Sequence, residues 1–446
     1  MQNIRPVVGL VTCVHPIYNL PSVTGHRDAA VKGLEAAGCR VASPEIARDS
    51  RDVRAIAAML RREEVDVMIL FFCTWVAEEI TLGLTRELDD VPLLLWALPY
   101  LDKTIPMPSP MTGLTATGCN IRKSGRSFVH MVGFATDDTV AKAAEAARVA
   151  AVARGLRSAR FGIIGHPCPG MIDTGCDDAA LQKCLGASVV HRDLDNFLRA
   201  ADGSDAGEAR EMAAALAEKV GRCDIDEEKL ADHCRLTLGM KSMVEADRLD
   251  GFTIRCWPEL RDQHKRTVCL TLAQMAEAGV PNACESDVTA LVTSWVMTRI
   301  ARAPSYSLEI TAYLEQQGAL QFAHCGSAPI SMAASDAEAA VRGHMRTGAG
   351  ALLEFPFKPG AITIAKLLRP SGDRMRMFLA RGEVIPTEPG VRGSVATVRP
   401  APSPDAFLDA MLREAVEHHL VICYGDWTRE LEQFALFAGV DVIRVS

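Results

Sequence analysis

Four stretches of this sequence carry acidic or imidazole groups where apolar runs end. Glu285 follows Val280–Cys284 in NACESDVTALV, so it stands where a strand gives way to a helix, with Ser286 and Asp287 beside it. Glu309 lies in SYSLEIT, where Leu308 and Ile310 share one face of an extended segment and Ser307, Glu309 and Thr311 the other. His324 closes LQFAHC ahead of a turn at Cys325 and Gly326. The pair His418-His419 opens a last strand, His419–Tyr424, and alternation along a strand lets only one of the two face a given site; His419 would share its face with Val421 and Cys423. Each group has an ordinary structural alternative. Glu285, Ser286 and Asp287 could cap the following helix, Glu309 could lie on a solvated strand face, and His324 could be a satisfied structural residue. Gathered together, two carboxylates and one or two imidazoles form an oxygen–nitrogen set suited to a divalent cation, and without a thiolate the set does not select zinc.

Such residues need elements to position them. From residue 1 to about 156, strand-like runs (Val7–Val11, Arg40–Ala42, Val65–Phe72, Val91–Ala97, Phe128–Val132) alternate with helical stretches such as His26–Ala37 and Asp138–Arg154, which predicts a parallel sheet covered on both faces. A second α/β series over 157–302 contains Ala159–Gly165, Ser188–His191, Gly251–Cys256 and Val280–Cys284, then the helix Asp287–Ile300. Over 303–446 strands follow one another with few helices: Ser307–Leu314, Leu320–His324, Gly350–Phe355, Ala361–Leu368, Arg374–Ala380 and Val395–Val398. After Pro400 a helix over Asp405–Glu417 is expected, with Ser403 as its cap, then the strand His419–Tyr424 and the helix Thr428–Ala438. The expected fold class is α/β: two doubly wound α/β domains followed by a mostly antiparallel, barrel-like C-terminal domain.

The 446 residues are 48% hydrophobic and 23% charged, the texture of an ordinary globular chain. Lys plus Arg is 48 against 56 Asp plus Glu, a formal charge of −8, which argues against a nucleic-acid partner. The longest apolar runs, around Val65–Cys73 and Val91–Leu98, fall short of the ~18–20 residues that cross a bilayer, so no membrane partner is expected. MQNIRPVVGLVTC has no h-region or cleavage site, and the expected location is cytoplasmic. Fourteen cysteines are scattered without a C-x-x-C pair and read as buried packing residues, Cys256, Cys284 and Cys325 among them. Dinucleotide, Walker, zincin and nucleophile-elbow motifs are absent from the sequence.

The order and spacing of the four stretches resemble the L-fucose and L-arabinose isomerase superfamily. The stretch around Glu285 is similar to the strand end where those enzymes bind Mn²⁺ through a glutamate. Their second acidic ligand follows some two dozen residues later, and Glu309 lies 24 positions beyond Glu285. His324, 15 residues on, matches the histidine that ends a strand in the arabinose isomerases, and EHHLVICYGDWTRELEQFALFAGVDV looks like their C-terminal His-His element. IRCWPEL, with Arg255 and Trp257, resembles the Arg/Trp strand end of the fucose isomerases. The chain departs from the pattern in being shorter, in having Glu309 where fucose isomerases have aspartate, and in its CESD wording. The resemblance covers the whole chain in domain order.

What the resemblance implies is a metal-dependent aldose–ketose isomerase acting on a free sugar or sugar derivative. Glu285, Glu309, His324, His419 and His418 would be its metal ligands, for Mn²⁺ or alternatively Mg²⁺ or Co²⁺. Glu285 would act as C–H base and Glu309 as hydroxyl proton shuttle around a Mn²⁺-stabilised enediolate. Arg255, Trp257, Trp75 and His15 are the candidate substrate contacts, with the core as the alternative for tryptophan, Trp96 included. The family also implies a homo-oligomer, a trimer or hexamer, in which first-domain residues such as His15 and Trp75 serve a neighbouring chain. Arg122-Lys123-Ser124-Gly125-Arg126 is read as a solvated turn. Two alternatives stay open: the same site used for epimerisation, decarboxylation or C–C cleavage of a keto-sugar acid, and a non-catalytic sugar-binding protein.

Overall fold

The computed structural model describes residues 5–445 except 19, 20, 45, 48, 106, 336, 337, 373 and 389. Strands β1 (Val7–Cys13), β2 (Arg40–Ala42), β3 (Val67–Phe72), β4 (Leu93–Ala97) and β5 (Val129–Val132) pair in parallel in the order β2-β1-β3-β4-β5. Helices cover both faces, which is why β3 and β4 read as the unbroken apolar runs VMILFF and LLLWA and are buried along their whole length. Alternation divides β3 between two cores: Met68, Leu70 and Phe72 enter one, Val67, Ile69 and Phe71 the other. Trp96 belongs to the second core, fully buried, with its indole N–H donating to the Gly133 carbonyl.

A second parallel sheet contains β6 (Arg160–Ile164) and β7 (Ser188–Arg192). After the short β8 (Arg222–Cys223), which joins another sheet, it is completed by β9 (Gly251–Ile254) and β10 (Asn282–Cys284), giving the order β10-β9-β6-β7.

The remaining strands are β11 (Tyr306–Leu314), β12 (Ala319–Ala323), β13 (Ala340–Arg342), β14 (Leu352–Pro356), β15 (Gly360–Leu367), β16 (Arg376–Ile385), β17 (Ser394–Pro400), β18 (Leu420–Tyr424) and β19 (Asp441–Arg444). Six of them, β11-β12-β17-β16-β15-β18, close on themselves with every pair antiparallel, so the mostly antiparallel barrel expected from the sequence is a closed one. Period-two positions fill its interior, among them Leu308, Leu320, Phe322, Ile364, Phe378, Val398 and Ile422. The sheet extends outward from β17 through β14, β13 and β8, and β19 lies beside β16.

The chain divides into two compact units, Gln2–Gly155 with Glu430–Val440, and Leu156–Arg429 with Asp441–Ser446. The second parallel sheet and the barrel therefore lie in one unit. The helix expected over Asp405–Glu417 spans Pro404–Arg413, because Ala415 takes a left-handed conformation (φ 54°) and ends it. Its cap is Ser403, whose hydroxyl accepts from the Ala406 N–H at 3.2 Å. Ser403→Ala is expected to cost about 1 kcal/mol, readable as a lowered denaturant midpoint at unchanged slope. Among the described residues, no helix is long and apolar enough to cross a membrane.

Candidate functional site

Strand β10 delivers Glu285 to the carboxyl edge of its sheet through an unusual turn. Glu285 and Ser286 both occupy the left-handed region (φ 62° and 60°), which residues with side chains seldom adopt. The three polar residues of this turn have separate tasks. Asp287 caps the helix Val288–Ala301, accepting from the Ala290 N–H at 2.8 Å. The Ser286 hydroxyl donates to the His166 carbonyl at 3.0 Å. Glu285 makes no cap: its backbone N–H continues the ladder to the Ile254 carbonyl, and its side chain turns toward histidines.

The barrel supplies those histidines by register. β11 lies between β12 and β18, with Glu309 opposite Ala323 and Leu308 opposite Leu420. His324, one residue past β12, and His418 and His419, just before β18, therefore reach the same end as Glu309. Glu285 Oε2 lies 3.2 Å from His419 Nε2 and 3.8 Å from His324 Nε2. His418 Nε2 lies 3.9 Å from Glu309 Oε2, and the His418 and His419 ring centroids are 4.0 Å apart. Glu285, His418 and His419 each offer one ligand atom, all within 4.8 Å of one another. Alternation does not separate the two histidines, because regular strand begins only at Leu420.

Both rings of the pair are held from behind at Nδ1. Asp173 Oδ2 sits 2.6 Å from His418 Nδ1 and also accepts from the His418 backbone N–H. Asp287 Oδ2 sits 3.0 Å from His419 Nδ1 and 2.8 Å from the ammonium of Lys366, with all three side chains of that chain buried. This carboxylate–imidazole pattern turns Nε2 of His418 toward Glu309 and Nε2 of His419 toward Glu285. Nε2 of His419 is buried and makes no hydrogen bond, although the Glu285 carboxylate lies beside it. A buried imidazole nitrogen left in that state, facing a carboxylate, fits a cation ligand.

The electrostatics follow from the same contacts. Burial pushes Glu285 up, but the imidazoles of His324 and His419 beside it outweigh that and hold the carboxyl well below its usual range. Asp287 is likewise held low against its burial, chiefly by Lys366 and His419. Burial opposes protonation of His324 and His419, yet Cys325 and Glu285 raise His324, and Asp287 and Glu285 raise His419. The result is an ionised carboxylate between two imidazoles, each of which can offer Nε2 to a cation while that nitrogen is unprotonated.

Of the four candidate substrate contacts, Trp257 lies in this site, donating its indole N–H to Glu285 Oε1 at 3.3 Å. Arg255, at the end of the same strand, is engaged by Glu259, its Nε 2.7 Å from Oε2. His15 and Trp75 belong to the other compact unit, where their rings stack with centroids 5.1 Å apart. They stand just beyond β1 and β3, the strands between which the winding direction reverses. In the basic cluster, Arg126 is half-buried and bonds the Thr85 and Val91 carbonyls, so that segment is more than a solvated turn.

Sequence reasoning missed Asp173, Asp287 as a histidine holder, and Lys366. Only Lys366 left a signal: in AITIAKL, period two places it on the face of Ile362 and Ile364, a lone charge among apolar inward positions. Asp173 lies in a short 3₁₀ turn whose sequence marks nothing.

Residues 317–446 match the family model for the L-fucose isomerase C-terminal domain. The chain is similar to the sulfoquinovose isomerase of Alkalicoccus urumqiensis, 24% identical over 362 residues, covering 80% of this chain and 81% of the relative. It is also similar to that of Priestia aryabhattai, 21% identical over 413 residues, covering 91% and 92%. The match over the C-terminal residues and the relatives that span both compact units support the resemblance to the fucose isomerase-like superfamily.

Proposed function

We propose that this protein is a metal-dependent aldose–ketose isomerase, with a sulfonated hexose as the first substrate to test. The observation that carries the reading is the buried Glu285 carboxylate set between His324 and His419, with His419 oriented by Asp287 so that an unbonded Nε2 faces inward. The relatives' names support an isomerase of a sulfonated sugar. Glu285, Glu309, His324, His418 and His419 would hold a divalent ion, and their oxygen–nitrogen composition favours Mn²⁺. When bound, such an ion supplies Lewis acidity, polarising the sugar carbonyl and offsetting the negative charge of the enediolate.

The chain's own residues carry the proton movements. Glu285, held ionised, accepts the proton from the carbon beside the carbonyl and returns it to the neighbouring carbon. Glu309, half-exposed at the mouth of the cluster, moves the hydroxyl proton in the same sense, from the oxygen on that carbon to the former carbonyl oxygen. Trp257 fixes the Glu285 carboxylate through Oε1, leaving Oε2 directed at the imidazoles.

Purified protein supplied with Mn²⁺ and a panel of free aldoses, sugar acids and sulfoquinovose tests the reading. The expected product is a ketose of unchanged formula, lost on chelation and restored by Mn²⁺. A product of changed formula, an aldose epimer, or sugar binding without turnover overturns it. Asp173→Asn removes the negative charge behind His418 Nδ1. It is expected to weaken Mn²⁺ affinity by about 10–100-fold while leaving the fold intact, as measured by titration calorimetry and circular dichroism.

A further inference from the structure

The two oxygens of Glu285 face different chemistry. Oε2 looks toward His324 and His419, whereas Oε1 lies 3.3 Å from the Trp257 indole nitrogen and 4.0 Å from the Cys256 sulfur. On that second side stands a group of thiols that no local spacing announces. Three neighbouring parallel strands each bring one to the carboxyl edge of the sheet: Cys284 ends β10, Cys256 lies two residues past β9, and Cys168 lies four residues past β6. The Cys256 thiol meets those of both Cys168 and Cys284. The sulfurs of Cys168 and Cys256 and a carboxylate oxygen of Glu285 all lie within 4.8 Å of one another. Cys168 is buried and Cys256 partly accessible, and all fourteen cysteines are free.

We propose that Cys168, Cys256 and Glu285 form a second cation site, one that takes a thiophilic divalent ion of the zinc class. Two thiolates and one carboxylate make a soft-to-borderline set that matches the usual ligands of four-coordinate Zn²⁺ and differs in kind from the oxygen–nitrogen set across the same carboxylate. Three protein ligands leave the fourth position to water or to the Cys284 thiol. The site forms only in the fold, since its cysteines are 88 residues apart in sequence. An ion held there draws charge from Glu285 and weakens the histidine side of the carboxylate. That antagonism rests on the isomerase reading; the thiol site itself does not.

The test uses full-length, reduced protein and Zn²⁺ alone. After one equivalent of Zn²⁺, zinc X-ray absorption should show two or three sulfur ligands at about 2.3 Å together with oxygen. Cys168→Ser and Cys256→Ser should each remove one sulfur and weaken Zn²⁺ binding at least tenfold. Cys119→Ser, in the other compact unit, should leave the shell unchanged. A wild-type shell without sulfur overturns the proposal before any substitution is made, and so does a sulfur shell that both variants keep. In a separate arm, zinc should raise the Mn²⁺ concentration needed for half-maximal isomerisation. The zinc shell is read without sugar, so failure to isomerise any sugar would overturn the function and leave this site standing, and the reverse holds equally.

Discussion

Glu285→Gln lowers turnover by about 10³–10⁴-fold while the protein stays folded, the range expected for losing a general base together with a ligand charge. Glutamine keeps the size and one acceptor oxygen, so the Trp257 indole can still donate to it. What disappears is the negative charge between His324 and His419, and with it both the proton acceptor and the anionic arm of the cation set. The measurement is the initial rate of ketose formation at saturating Mn²⁺, with Mn²⁺ affinity determined separately. A variant that keeps more than a tenth of wild-type turnover would exclude Glu285 from both roles. A variant that keeps sugar affinity alone is the expected residue of function.

Lys366→Met destabilises the protein by about 3–5 kcal/mol, because it leaves Asp287 buried without its cation. The ammonium lies 2.8 Å from Asp287 Oδ2, and both side chains are almost wholly excluded from water. Asp287 also caps the helix Val288–Ala301 and holds His419, so it cannot simply turn outward. The pH dependence has a definite sign. The Asp287 carboxyl is held below its ordinary value of 3.8 in the folded protein, so its contribution is complete above that value and declines as pH falls through the depressed folded one. Lys366 is a principal cause of the depression, so the gap between wild type and variant should be level near neutrality and narrow below about pH 4. Urea unfolding at a series of pH values checks this, and a gap that widens in acid would contradict the buried pair as its source.

The architecture was legible because period two and period 3.6 are local signals: β2 and the helix Thr428–Ala438 have the bounds read from the sequence. Closure of the barrel was not, since it depends on β16 pairing with β17 as well as β15. Within the site, the strand-end positions of Glu285, His324 and His419 follow from patterning, as does the place of Glu309 within β11; register then sets the three strand-end residues together and Glu309 beside His418. The roles of Ser286 and Asp287 were hidden because all three polar residues of CESD fit a cap equally well; the left-handed turn decides among them. His418 was set apart from His419 by an alternation rule that begins to apply one residue later. Asp173 and the thiols around Glu285 are joined only by tertiary contact, which no window along the chain samples.

The closed ring of six strands has an evolutionary corollary. In an open sheet a strand can slide and find new partners, but in a ring a slip at one seam must be taken up by every other seam before the hydrogen bonds close again. Spacing among the residues that β11, β12 and β18 carry can therefore change only in whole steps, each of which would also turn the interior outward. Diversification toward new sugars is thus channelled away from the staves and into the loops at the rim and the edge of the parallel sheet, where length and wording vary without disturbing the hoop.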